Sequence, residues 1–244
     1  MILNLTNKSD FINSFLFPLS RIGTNCILKL SNKGITTLLS AADNTVILYG
    51  IYEAKLGDAV DTKLNIPDLH RLIKVLQCVD EDNIQLQVER NKIQYTSPNL
   101  RFTYHLLHDG ILSIPPVNIK KIKQLSYDTT FTIPYGSFVN LLKSSTFTLS
   151  INKMYFYTKD GNVYADIDDK ESHNVDSICI KMCESFQGTP LDKPLPVSFE
   201  TIRTLAGLKC DELIVKVNSK LNVMTFSVNT GNVKITYIVS GLIK

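Results

Sequence analysis

The run Asp166-Ile167-Asp168-Asp169-Lys170-Glu171 brings four carboxylates into six residues, enough oxygen donors to hold a divalent cation if the backbone gathers them. The same run also describes a strand end leading into a solvated acidic turn. His105 and His108 stand three apart with Asp109 adjacent, a set that could move a proton. His105, however, falls on the polar side of an alternating strand, the ordinary place for an exposed histidine. Cys179 and Cys183 are four apart; in a regular strand both share a face with Lys181, while Ile178, Ile180 and Met182 point the other way. A zinc site needs more ligands than these two at suitable spacing. The chain has no glycine-rich phosphate loop, no dinucleotide fingerprint, no nucleophile elbow and no paired-histidine zinc helix. No catalytic residue, metal or cofactor is therefore assigned. A metal-dependent hydrolase or nuclease built on the 166–171 cluster is the enzymatic alternative.

What must position any functional side chain is a chain of 244 residues, 44% hydrophobic, long enough to bury one or two cores. Its net charge of +3 neither announces nor excludes a nucleic-acid binder, because a local basic face can sit on a near-neutral body. The first residues lack a basic segment followed by a long apolar run, and no stretch approaches the roughly 18 apolar residues of a membrane span. A cytoplasmic protein is the expectation. The five cysteines, odd in number and scattered, read as free thiols of a reducing compartment.

One phrase recurs four times: an apolar strand, then a helix start carrying an apolar-x-x-apolar-apolar step. The four are Leu3–Leu5 with Ile12/Phe15/Leu16, Leu64–Ile66 with Leu69/Leu72/Ile73, Phe131–Ile133 with Phe138/Leu141/Leu142, and Leu195–Val197 with Ile202/Leu205/Ala206. The helix anchors fall roughly 60 residues apart, with strand-rich stretches between them, as expected of a supersecondary unit that buries its apolar face against copies of itself. In the second unit Asn65 is the expected cap, Pro67 suits the first turn, and Asp68 favours its positive end. Alternation then predicts strands at 84–89, 93–95 and 100–106. The third unit predicts strands over Phe147/Leu149/Ile151, Met154–Thr158 and Val163–Ile167, with a further strand at Ser177–Met182. The stretch 108–127, with Pro115-Pro116 and the basic run Lys120-Lys121-Ile122-Lys123, has no sustained alternation. It reads as a semi-rigid connector between two similar halves, 1–107 and 128–244.

The helix faces turned away from these apolar stripes are polar and basic. They carry His70, Arg71 and Lys74 in the second unit, Val139, Asn140 and Lys143 in the third, and Arg203, Thr204 and Gly207 in the fourth. The first helix offers Asn13, Ser14 and Phe17, with Pro18 expected to end it before Arg21; Lys209 lies just beyond the last helix. One such face alone is an ordinary solvated surface. Four together suggest a basic lining that touches phosphates without reading bases.

On the four strand–helix units, the phrase Leu64-Asn-Ile-Pro-Asp-Leu-His-Arg-Leu-Ile-Lys, the Ser31-Asn-Lys-Gly-Ile-Thr hairpin and the mid-chain connector, the sequence resembles the DNA sliding clamps. The form it is similar to is the two-domain one of proliferating cell nuclear antigen and of T-even-like phage clamps. The resemblance implies an α+β DNA-clamp fold: two similar domains, each with two helices packed on antiparallel sheets, and three chains closing into a ring around duplex DNA. It implies a phosphate-facing set of Arg21, His70, Arg71, Lys74, Lys143, Arg203 and Lys209, thinner in charge than the family norm. Ring closure would pair the strand at 100–107 with that at 176–183 of a neighbour, which points to Phe102, Tyr104, Leu106, Ile178 and Ile180. A pocket for partner peptides beneath the connector would involve Val46, Leu48, Ile119, Ile122 and Tyr237, with Leu242 and Ile243 beside it; Val46 and Leu48 read equally as core. The implied partners are double-stranded DNA, a replicative DNA polymerase and an ATP-driven clamp loader, in the cytoplasm of the host if the chain is phage-encoded. A monomer of the same fold that holds DNA by charge alone is the other non-enzymatic reading.

Overall fold

The computed structural model describes every residue except 55, 57–61, 120, 121, 123, 145, 147–150, 170–175, 243 and 244. Two units are formed: Met1–Val117 with Asn229–Ile235, and Asn118–Val228 with Thr236–Lys244. The first of their boundaries, between Val117 and Asn118, falls inside the 108–127 connector.

The first unit has two antiparallel sheets. One, in the order β1-β6-β7-β8, joins β1 (Ile2–Leu5), β6 (Ile84–Glu89), β7 (Lys92–Thr96) and β8 (Arg101–His105); the other, in the order β5-β2-β3-β4, joins β2 (Cys26–Ser31), β3 (Gly34–Ser40), β4 (Val46–Glu53) and β5 (Thr62–Ile66). Alternation sets the register: Leu3 lies opposite Leu86 and Leu5 opposite Ile84, all four buried. Helical residues run from α1 (Lys8–Asp10) through a π-helical stretch (Phe11–Leu16) into α2 (Phe17–Ser20), and α3 covers Leu69–Gln77. Phe11, Phe15 and Tyr52 meet with ring centroids 5.0–5.8 Å apart. Each such buried side chain stabilises the fold by about 1.5–3 kcal/mol. Gly34 closes the β2–β3 turn at φ +130°, where a Cβ would strike Tyr52 O at 2.1 Å, so only glycine fits there.

The second unit repeats this plan. One sheet has the order β12-β11-β10-β14, from β10 (Lys153–Lys159), β11 (Asn162–Ile167), β12 (Ile178–Cys183) and β14 (Leu195–Ser198). The other has the order β13-β9-β15-β16-β17, from β9 (Thr129–Pro134), β13 (Gln187–Gly188), β15 (Glu212–Asn218), β16 (Val223–Thr230) and β17 (Val233–Ser240). Helix α4 spans Tyr135–Ser144 and α5 spans Phe199–Arg203. Phe156 anchors the core, 6.2 Å from both Phe131 and Phe226. Strand for strand, β9-β15-β16-β17 matches β1-β6-β7-β8, and β14-β10-β11-β12 matches β5-β2-β3-β4. The two units are topological duplicates, with β13 an addition.

Several local expectations are corrected. Pro18 does not end the first helix. Phe17 N–H donates to Ile12 O five residues back, and the helical run continues past Pro18 to Ser20, the wider turn just before the proline accommodating its missing N–H. Ser14, expected on the outer face, is buried. The cap of α3 is Asp68, not Asn65: its carboxylate accepts from Arg71 N–H at 2.9 Å, while Asn65 is still within β5 and its side-chain amide donates to Leu107 O and to Asp109. Leu205 and Ala206 lie in turns beyond α5, which stops at Arg203. The third strand of the third repeat is β12; Ile151 is in no strand, and Phe147 and Leu149 lie outside the described residues. A bulge in the β11–β12 ladder pairs Tyr164 with Lys181 but Val163 with Cys183. That slip turns Cys183 inward and parts it from Cys179, which is exposed.

Candidate nucleic-acid interface

Helix α3 forms because Asp68, in extended backbone, caps it and because Leu69, Leu72, Ile73 and Leu76 bury one stripe. The opposite side presents His70, Arg71 and Lys74, all exposed. No carboxylate lies within Leu69–Gln77, and neither Arg71 nor Lys74 makes an ion pair with a described residue. Lys74 stands in the last turn, where a cation suits the helix dipole. The helix packs against α2 and the π-helical stretch, and Leu69 N–H donates to Thr24 O at 2.7 Å. The N-terminal turn of α3 thus lies beside the segment that follows α2, which carries Arg21, exposed and 5.7 Å over the Phe17 ring. Lys8, the lysine of the first helical run, is withdrawn from this surface: it is buried and its ammonium donates to Val79 O.

In the second unit Lys143 is exposed on α4, a helix without carboxylates. Lys209 is exposed past α5. Arg203 is different. It lies 4.9 Å over the Phe199 ring and 2.7 Å from Glu200 Oε2. Sequence reasoning passed over Glu200, although its i, i+3 spacing to Arg203 on a helix is the visible signal of such a pair.

The other candidate sites fare unevenly. Tyr104 is buried: its hydroxyl donates to Asp68 O at 2.6 Å and accepts from Asp68 N–H at 3.1 Å, and burial pushes its pKa up to about 12. Phe102 and Leu106 are buried too, Phe102 stacked 5.7 Å from Tyr95. Strand alternation therefore turns these three side chains into their own unit and leaves Arg101, Thr103 and His105 of β8 exposed. Among the described residues, strands β8 and β12 each pair with a strand on one side only, and on β12 Ile178 and Ile180 are half-buried. Val46, Leu48 and Tyr237 are core residues with 1% or less exposed. The half-exposed side of β4 is instead Ile47, Tyr49 and Ile51, with Tyr49 opposite Leu38 of β3. A cleft of about 590 Å³ in the first unit is lined by Leu38, Leu39, Ala41, Leu112, Pro115 and Pro116 among others. Ile119, Ile122 and Leu242 are half-buried; Lys120, Lys121, Lys123 and Ile243 lie outside the described residues.

The acidic run is dispersed. Asp166 accepts from the Tyr157 hydroxyl at 3.2 Å, and Asp169 pairs with Lys153 at 3.7 Å; Glu171 lies outside the described residues. Among the described residues no three His, Cys, Asp or Glu gather as metal ligands. His105 is exposed opposite Lys92, and Asp109 is engaged by Asn65. No described helix is long and apolar enough to cross a membrane.

No protein-family model matches the chain, and no curated protein matches its sequence. Solved structures do match it. The proliferating cellular nuclear antigen (PCNA) of Entamoeba histolytica is 14% identical with a TM-score of 0.78, over 99% of this chain and 98% of that one. PCNA of A. fulgidus, solved with the C-terminal region of FEN-1, is 12% identical with a TM-score of 0.79, over 100% and 98%. The PCNA2–PCNA3 complex of Sulfolobus tokodaii gives 11% identity and a TM-score of 0.75, over 99% of each chain. At this level of identity the common property is the architecture, and over essentially its whole length this chain adopts the sliding-clamp fold of PCNA.

Proposed function

We propose that the chain is a DNA sliding clamp: a non-enzymatic ring that encircles duplex DNA and tethers a replicative polymerase to its template. The observation that carries this reading is the end-to-end clamp fold combined with the carboxylate-free basic face of α3. Arg71 and Lys74, joined by Arg21, His70, Lys143 and Lys209, would contact phosphates from the inside of the ring, with no side chain set to read bases. Arg203 contributes less, since Glu200 competes for it.

The ring is a homotrimer of six units, closed head to tail where β8 of one chain pairs with β12 of the next. Among the described residues both strands have a free edge, and two complementary edges per chain generate a closed, heterologous assembly. Lacking a nucleotide-binding motif of its own, the chain relies on an ATP-driven loader to place it on DNA. Polymerase and loader segments dock on the first unit, in the cleft lined by Leu38, Leu112 and Pro115. The A. fulgidus protein, solved with a FEN-1 segment bound, supports partner docking on this fold. The place of action is the cytoplasm, that of the host if the gene is a phage's.

The test is topological. The protein loaded on nicked circular duplex is retained through a high-salt wash and is lost when the circle is linearised. Release by salt from circle and line alike, with a stable species near the 27.4 kDa of one chain, identifies the monomeric charge-tethered alternative instead.

A further inference from the structure

The free-edge strand β8 and the basic helix α3 are joined by a compact set of hydrogen bonds. Every polar group of Asp68 is engaged. Its carboxylate caps Arg71 N–H, its carbonyl accepts from Leu72 N–H at 3.1 Å and from the Tyr104 hydroxyl, and its N–H donates back to that hydroxyl. From strand β5, Asn65 O accepts from Leu107 N–H at 2.9 Å, and the Asn65 amide returns a bond to Leu107 O. Asn65 and Tyr104 are both buried, at 6% and 4%. A buried hydroxyl with two backbone partners holds them in a fixed direction, because either one left alone would be desolvated without compensation. The first turn of α3, from which His70 and Arg71 project, is therefore tied to a side chain of β8 as well as to Thr24 O.

We propose that Tyr104 is a positioning residue: through Asp68 it aims the first turn of α3, and so Arg71, at the DNA phosphates, and it makes that aim depend on how β8 is held. This rests on the clamp reading above. A strand added to the open side of β8 stiffens it, so closing the ring and presenting Arg71 become one event. A chain whose β8 edge is unpaired presents a looser basic face.

The experiment uses the full-length chain and a labelled short duplex of arbitrary sequence, with affinity measured across a salt series. Tyr104→Phe keeps the ring in the core and removes only the hydroxyl. Each phosphate contact contributes about 0.9 to the slope of log K against log salt. Tyr104→Phe is expected to lower the slope by about the amount that Arg71→Gln does, and the double variant to lose no more than Arg71→Gln alone. A residue acting only on stability would shift the melting temperature, leave the slope alone, and add to Arg71→Gln. Additive losses, or a slope unchanged by Tyr104→Phe while Arg71→Gln lowers it, overturn the positioning role and leave the clamp reading intact. A slope unchanged by Arg71→Gln removes the DNA-facing assignment of α3, and this inference with it.

Discussion

Replacing Arg71 and Lys74 together by glutamine isolates the electrostatic part of the proposed DNA contact. Both side chains are exposed and neither has an ion-pair partner among the described residues. Glutamine is nearly as good a helix former as either. The fold should lose less than about 1 kcal/mol, mostly from Lys74 at the helix C-terminus, and the melting temperature should fall by less than about 4 °C. If each cation neutralises one phosphate, the salt slope drops by about 1.8, so a fourfold rise in salt weakens the parent about 12-fold more than the variant. The assay is duplex binding by anisotropy across that range, with retention on nicked circular DNA measured in parallel. Retention on the circle should survive, because topology rather than charge holds a closed ring. An unchanged slope would refute the placement of α3 against DNA. Loss of retention on the circle with the oligomer intact would refute the claim that encirclement does most of the holding.

Glu200→Gln frees Arg203 from its 2.7 Å partner; the pair is half-exposed and worth under about 1 kcal/mol, so stability should barely move while the salt slope steepens by up to about 0.9. A slope that stays put would mean Arg203 does not face DNA. Ile180→Lys places a charge on the half-buried open edge of β12 and should yield monomers in sedimentation, whereas Tyr104→Lys should unfold the first unit, since it buries a charge at the cap of α3. A persisting oligomer with Ile180→Lys would show that β12 is not the contact edge. Burial pushes the Cys26 thiol from its ordinary value of 9.0 up to about 12. The folded state therefore keeps its proton longer than the unfolded chain, and this contribution to stability, whole below pH 9, is lost as pH rises toward 12. In the folded protein at neutral pH an alkylating reagent should label Cys78 and leave Cys26 unlabelled when the sites are mapped by mass spectrometry. Labelling of Cys26 under those conditions would contradict its burial.

The order of elements was readable because it follows from local periodicity. The stripe Leu69/Leu72/Ile73/Leu76 and the alternation of Ile84/Leu86/Val88 each occupy one face of one element, and both faces are buried as read. The outward placement of His70, Arg71, Lys74 and Lys143 was legible for the same reason. Failures came where a neighbour decides. Pro18 reads as a stop, yet the π-helical stretch before it carries the helical run past it to Ser20. Cys183 reads as sharing a face with Cys179, yet one bulged residue reverses it. Val46 and Leu48, which read equally as pocket or core, are buried with Tyr52 on the inward side of β4.

By itself, then, the sequence determined four strand–helix repeats, two similar halves and a set of carboxylate-poor helix faces, since propensity, capping and side-chain periodicity act over a few residues. Tertiary structure alone decided which of those charges are available and what holds them. Lys8 is used up by Val79, 71 residues away, and the cap of α3 is fastened by Tyr104, 36 residues away. Contacts of that span depend on how strands and helices meet in space, a property that no local pattern of residue types encodes.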